Sequence, residues 1–311
     1  MLSEQIMLIL SEKQVEGLID IDELIAALER AHIQYSTGNA VMPVRLVVPL
    51  PQIDGRITSM PGFLNEDQAL GMKVVTYFHN NPKQNLPSIL ATIMLFSAES
   101  GKMIAVMDGS YITAIRTACA SAMASKVLSN PSASELGILG AGVQAKAHIT
   151  ALARVRKIRR IKIYSPSGTS AGRVKQEVES HVGVAIEVVN SAEEAVRGAD
   201  LIVTATTAKQ PILAAEWLKP EKLVSIGIRP ALPNDFAHRS ALIEREIQLD
   251  RRCNSPQDHL GFICTDLLPL GASRGEEACW QRQGPFDGGP ELSRTNKIRR
   301  RPVLRDRKQA E

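Results

Sequence analysis

The stretch Gly137-Ile138-Leu139-Gly140-Ala141-Gly142-Val143-Gln144-Ala145 constrains this chain more than any other. It sets G-x-G-x-x-A (Gly140, Gly142, Ala145) directly after a short apolar run and at the start of a helical one. Each small residue has a task there. Gly140 permits the tight turn, Gly142 lets the backbone approach a pyrophosphate, and Ala145 lets the helix pack closely on the sheet. The helix that follows presents free N–H groups and the positive end of its dipole to phosphates.

The surroundings of the motif obey the same grammar. Residues 135–139, 161–164, 185–189, 201–205 and 223–226 read as short apolar strands, and 144–155, 170–181 and 192–197 as helices. Such alternation specifies a parallel, doubly wound sheet. Upstream the pattern differs. A helix with Leu24, Leu28, Ala31 and Tyr35 at helical spacing, capped by Asp20 or Asp22, ends at Ser36-Thr37-Gly38-Asn39. Strand-like runs follow at 44–48, 57–60, 70–77, 89–96 and 103–106, the last two joined by a hairpin connection at 97–102. A helix of small residues over 111–128 (Ala114, Ala118, Ala120, Ala122, Ala124) suits close packing and stops at Ser129-Asn130-Pro131. The expected fold class is α/β: a Rossmann-type doubly wound parallel sheet over 113–250, joined to an α+β domain over 1–112, with an atypical tail over 251–311.

Composition narrows the function classes. Residues 251–311 hold 12 Lys+Arg against 8 Asp+Glu, out of 37 and 33 in the whole chain, so the first 250 residues are neutral. A neutral body offers no footprint for nucleic acid. No run is apolar enough to span a membrane, and the first ten residues make a poor signal peptide. Four Cys in 311 residues imply no disulfide framework, and a reducing, cytoplasmic setting is expected. Cys253, His259, Cys264 and Cys279 lack the paired spacing of a metal site, so no metal is expected. Cys119 reads as buried packing, and His148 as a surface or satisfied histidine. The tail, rich in Arg, Gln, Gly and Pro, reads as poorly ordered, with only 261–270 able to pack.

The second strand bears on the choice of cofactor. A reader of NAD places Asp or Glu at that strand end to hold the ribose 2′-OH. Here the strand runs into Ser165-Pro166-Ser167-Gly168-Thr169, with no acid before Glu177 and with Arg173 nearby. The hydroxyls of Ser165 and Ser167 would accept a 2′-phosphate without repulsion. NADP is therefore favoured over NAD, with both retained.

Three cations stand out upstream: Arg45 in Met42-Pro43-Val44-Arg45, Lys73 in Gly71-Met72-Lys73-Val74-Val75, and Arg116 after Ile112-Thr113-Ala114-Ile115. Arg45 and Lys73 interrupt apolar strands, where an unpaired charge is costly. Converging guanidinium groups bind a carboxylate bidentately.

Between Pro43 and Thr207 the chain resembles the ornithine cyclodeaminase/mu-crystallin family. The matching stretches are MPVR, SMPGFL, GMKVVTYFHNNP, NLPSILATIMLFSAESGKMIAVMDGSYITAIRTACASAMASKVL, LGILGAGVQA and ADLIVTATT. The resemblance implies a substrate-binding and dimerisation domain before the Rossmann domain, a homodimer, and hydride transfer at the α-carbon of a small amino or imino acid. By position, Arg45 and Arg116 resemble the carboxylate binders and Lys73 the active-site lysine. Ser88, counted with these three among the substrate-binding residues, stands where many members have Thr in Leu-Pro-Thr. Gly140, Gly142, Val143 and Gln144 would hold the pyrophosphate, and Thr204 to Thr207, Thr206 included, would approach the adenosine or nicotinamide.

One departure weighs on the mechanism. The cyclodeaminases carry a catalytic Asp just past the strand matching 223–226, where this chain has Ile228 or Arg229 when Pro230 is aligned, and Asp235 is out of register. A ketimine reductase is therefore preferred to an ornithine cyclodeaminase. No further family-type strand or closing helix is recognisable after Gly227. The C-terminal quarter reads as out of frame or degenerate relative to a family ancestor, an expectation that reading the coding DNA in its other frames tests. A non-catalytic ligand-binding member is the reading from another class.

Overall fold

The computed structural model describes residues 7–206, 208, 210, 212–218, 223–226 and 262–264. Thr207, Ile228, Arg229, Pro230, Asp235, Cys253, His259 and Cys279 lie outside the described residues, as does nearly all of 251–311.

The first sheet collects β1 (Leu8–Leu10), β2 (Ala40–Val41), β3 (Leu46–Leu50), β4 (Gly55–Leu64), β5 (Ala69–Phe78), β6 (Ile89–Ser97) and β7 (Met103–Asp108). Its order is β1-β7-β6-β5-β4-β2, with β3 also pairing β4. All pairings are antiparallel except β1 with β7. Two helices precede the antiparallel strands, α1 (Glu12–Leu18) and α2 (Ile21–Ser36). Asp20 is the α2 N-cap, its carboxylate accepting from the backbone N–H groups of Asp22 and Glu23 at 2.9 Å each. β1 and α1 carry no clear period in their few residues, so the sequence does not predict them.

α3 (Ser110–Leu128) leads from this sheet to the next. Ten of its residues are buried, among them Ala114, Ala118, Ala122 and Ala124. A helix buried around most of its girth must be sandwiched, and α3 packs on α2, on β6 and on α4 (Val143–Val155). Its small side chains allow that closeness.

The second sheet is formed by β8 (Glu135–Leu139), β9 (Arg160–Tyr164), β10 (Ile186–Val188), β11 (Leu201–Thr204), β12 (Leu223–Ile226) and β13 (Phe262–Cys264). Every pairing is parallel, in the order β10-β9-β8-β11-β12-β13. Counted within this sheet, the order is 3-2-1-4-5-6, the dinucleotide-fold arrangement with its crevice beyond the strand ends where the order reverses. α5 (Gly168–Val182) and α6 (Ala192–Val196) complete the crossovers. The core here is mostly apolar, with Leu136, Ile138, Ile149, Leu152, Ile161, Ile163 and Val203 buried in one cluster.

β13 corrects one expectation. A further parallel strand does follow Gly227: Phe262 pairs Val224 and Cys264 pairs Ile226. Three apolar residues show no periodicity of their own, so only the pairing reveals the strand.

Candidate functional site

Strand register assembles the first part of the site. On β5, Lys73 lies directly opposite Met60 of β4 and Ile93 of β6. Arg45 stands one residue before β3, where Leu46 pairs Ser59, so continuing that register sets it level with Met60. Arg45, Met60, Lys73 and Ile93 thus form one row across four strands, and residues opposite one another share a face. Both cations are half-buried, and the Arg45 Nε atom is shielded from solvent.

α3 begins over this face. A Cβ added to its N-cap, Gly109, would lie 3.1 Å from both the Ala91 and Ile93 side chains. Ile93 is the row-mate of Lys73, so the start of α3 adjoins the row. Arg116 follows on α3 about 10 Å further along the helix axis, half-buried and with its Nε atom shielded. Asp108, at the end of β7, anchors the junction by accepting from the Ser110 N–H at 2.7 Å. Ser88 is placed otherwise. It precedes β6, where its carbonyl accepts from the Phe78 N–H at 2.9 Å. Five residues separate it from Ile93, about 17 Å along the strand, so the register does not bring it beside Lys73.

The second part is the turn between β8 and α4. Gly140 has φ +113°, and a Cβ there would sit 2.1 Å from the Ala205 carbonyl oxygen, so no other residue fits. At Gly142, the α4 N-cap, an added Cβ would meet nothing within 4 Å. The turn is therefore crowded where it passes β11 and open where a pyrophosphate would approach. Val143 is exposed, and Ala145 is fully buried against the sheet. Gln144 Oε1 and the fully buried Thr204 Oγ1 have no hydrogen-bond partner among the described residues. Thr206 Oγ1 accepts from the Ala208 N–H at 3.2 Å. Ser165 follows β9, half-buried, and Ser167 is the exposed N-cap of α5, whose side chain makes no capping hydrogen bond. These residues fit a dinucleotide: an open glycine at a helix start, a glycine-only turn, and shielded polar atoms awaiting a ligand.

Helices α3 and α4 run side by side in the same direction. Ser121 on α3 meets His148 on α4 at 3.1 Å. Further along both, Arg156 donates to the carbonyls of Ser125, Lys126 and Ser129 at 2.7, 3.0 and 3.2 Å. The N-termini of the two helices consequently point the same way, towards the crevice. His148 is fully buried, and burial lowers its pKa to about 4, so it is neutral. It donates from Nδ1 to the Gln144 carbonyl at 2.8 Å and accepts at Nε2 from Ser121. Cys119 is a free, buried thiol, and burial pushes its pKa up to about 12.

Two polar residues at this junction escaped the sequence reading. Ser110 Oγ and Thr113 Oγ1 are buried and without a hydrogen-bond partner among the described residues. Their spacing, Ser110, Thr113 and Arg116 at successive i, i+3 steps, was the available signal. Among the described residues, no group of three or more His, Cys, Asp or Glu could hold a metal, and no helix is long and apolar enough to cross a membrane.

Known proteins share this arrangement. The family model described as ornithine cyclodeaminase/mu-crystallin matches residues 5–227. The ketimine reductase mu-crystallin of Macropus fuliginosus is 38% identical over 201 residues, which cover 63% of this chain and 63% of that protein. The chain thus spans under two thirds of the length of the mu-crystallins it matches. The Delta(1)-pyrroline-2-carboxylate reductase of Bacillus cereus is 31% identical over 236 residues, covering 76% of this chain and 73% of that protein. Among solved structures, the Thermococcus litoralis Delta(1)-pyrroline-2-carboxylate reductase in complex with NADH and L-proline superposes with a TM-score of 0.75 at 28% identity, covering 83% of this chain and 92% of its own. An archaeal alanine dehydrogenase dimer with bound NAD gives a TM-score of 0.72 at 27% identity, covering 83% and 90%. The chain belongs to the ornithine cyclodeaminase/mu-crystallin family.

Proposed function

We propose that this chain is an NAD(P)-dependent oxidoreductase acting at the α-carbon of a small α-imino acid, with a cyclic ketimine carboxylate such as pyrroline-2-carboxylate as substrate. One observation carries the reading: Arg45 and Lys73 share a row on the sheet face where α3, the helix of Arg116, begins, and α3 runs alongside the helix that opens at the Gly140 and Gly142 turn. The names of relatives support the same chemistry, since a ketimine reductase and pyrroline-2-carboxylate reductases are among them.

In this reading the Arg45 and Arg116 guanidinium groups grip the substrate carboxylate and fix which face of the α-carbon is presented. Lys73 Nζ donates a proton towards the imine nitrogen, which makes the α-carbon more electrophilic. A nicotinamide, when bound, would supply the hydride. Gly140, Gly142, Val143 and Gln144 would hold its pyrophosphate, with Thr204 and Thr206 nearer the adenosine or nicotinamide. Ser165 and Ser167 would admit a 2′-phosphate, which favours NADP beside NAD. Ser88, set apart along β6, takes no part beside Lys73 in this reading.

We also propose a homodimer formed through the antiparallel sheet, in a cytoplasmic setting. Leu46, Val47, Val48, Ile89 and Leu90 are exposed on that sheet, and one related structure is described as a dimer.

Oxidation of NADPH and NADH in the presence of pyrroline-2-carboxylate tests the function. Oxidation that needs both protein and imino acid is the expected result. Ammonia released from L-ornithine without that reaction would replace it with a cyclodeaminase. Cofactor binding without either reaction would leave a ligand-binding protein.

A further inference from the structure

Thr113 and Ser110 carry hydroxyls that the fold shields from water and leaves without a partner among the described residues. That is unusual at a helix start. Thr117, one turn on, bonds the Thr113 carbonyl at 2.7 Å, the usual outlet for a helical hydroxyl, whereas Thr113 does not use it. Leaving a buried hydroxyl unsatisfied is costly, so a missing partner is expected to come from something bound.

The helix geometry says where. At about 100° per residue, Ser110 shares the α4-facing stripe with Ser121, and Thr113 lies between that stripe and the one bearing Arg116. Along the axis, Thr113 stands eight residues before Ser121 and Gln144 four before His148. With Ser121 and His148 level, Thr113 rises about 6 Å beyond Gln144, beside the 140–142 turn. Around that zone lie the open Cβ direction of Gly142 and the unpartnered Gln144 Oε1.

We propose that α3 completes the dinucleotide site: the Thr113 hydroxyl, with Ser110 one turn before it, donates to a phosphate oxygen on the nicotinamide side of bound NAD(P), across from Gly142. The assignment rests on the dinucleotide reading and adds a second wall to it. The Rossmann turn contributes backbone N–H groups and α3 contributes hydroxyls, so the helix that carries Arg116 also touches the cofactor.

Thr113→Val keeps the shape and removes the hydroxyl, and Thr113→Ser restores it. Melting of the full chain is followed with and without NADPH and NADH, and each Kd is taken from quenching of the intrinsic fluorescence. Thr113→Val is expected to melt, without cofactor, at or above the wild-type temperature, because no bond to a described residue is lost. Its Kd for the dinucleotide should rise about tenfold, the loss of one hydrogen bond to a charged acceptor, and its cofactor-induced rise in Tm should shrink accordingly. Thr113→Ser should bind as wild type. A wild-type Kd in Thr113→Val, or a lowered cofactor-free Tm with the cofactor shift intact, overturns the proposal. Absence of any cofactor-induced shift in the wild-type chain overturns instead the dinucleotide reading beneath it.

Discussion

Ser121 on α3 and His148 on α4 share a 3.1 Å hydrogen bond in the dry interior between the two helices. The bond fixes the imidazole tautomer, because Nδ1 is already committed to the Gln144 carbonyl at 2.8 Å. It also sets the relative height of the helices whose N-termini frame the crevice.

That histidine makes stability depend on pH. Burial lowers its pKa to about 4 in the folded chain, against 6.5 ordinarily. The unfolded chain therefore takes up the proton first, and stability falls as pH drops below about 6.5 until it passes about 4. The shift corresponds to about 3 kcal/mol over that window. Urea melts at pH 7.5 and pH 5 should show the loss, and His148→Gln should flatten this part of the slope. An unchanged slope in that variant would take His148 out of the acid transition.

Two neighbouring glycines should behave differently. A methyl at Gly140 meets the Ala205 carbonyl at 2.1 Å and must hold φ at +113°, whereas one at Gly142 meets nothing. Gly140→Ala should lose more than about 1 kcal/mol of stability. Gly142→Ala should melt within a degree or two of wild type yet bind NADPH about tenfold more weakly, since its methyl intrudes on the approaching phosphates. Thermal scans of both variants beside cofactor titrations decide the matter.

Arg116 and Lys73 should separate binding of the imino acid from binding of the cofactor. Arg116→Ala is expected to remove turnover at least a hundredfold while the Kd for NADPH changes little. Arg116→Lys should recover little of it, because an ammonium cannot reproduce a two-pronged contact. For Lys73→Met, turnover should fall with a smaller effect on KM. Steady-state kinetics on pyrroline-2-carboxylate give the comparison, and unchanged turnover in either alanine or methionine variant removes that residue from the site.

Arg156 closes the C-terminal end of α3. Its guanidinium donates to three carbonyls there and to Ser129 Oγ at 3.0 Å, where the helix dipole also favours a cation. Arg156→Ala should destabilise the chain by about 2 kcal/mol with KM unchanged in the protein that remains folded. A Tm equal to that of wild type would show the contact to be dispensable.

Much of the molecule is legible in the residues alone. The Gly140, Gly142 and Ala145 turn announces the parallel sheet because it falls directly between a short apolar strand and a helix, with further strand–helix units after it. The alternation from 135 to 226 carries strand and helix periods of ordinary length, and the structure reproduces them nearly residue for residue. Asp20 as a cap and Cys119 as packing follow from the same local rules. β1, α1 and β13 escape because three to seven residues hold too little period to read, and their pairing partners lie far away in sequence.

The sequence by itself determined most of the elements and the chemical types of the candidate site, since turn geometry, capping and periodicity act between residues a few positions apart. It named Arg45 and Lys73 as cations within apolar strands, and Arg116 as a third cation beside them. Only the tertiary structure decided that Arg45 and Lys73 fall in one row, that Ser88 stands some distance along β6 from that row, and that Ser110 and Thr113 keep shielded hydroxyls without a partner among the described residues. Register and helix packing are set by whole faces closing on one another, and no window of the chain contains both sides of such a contact.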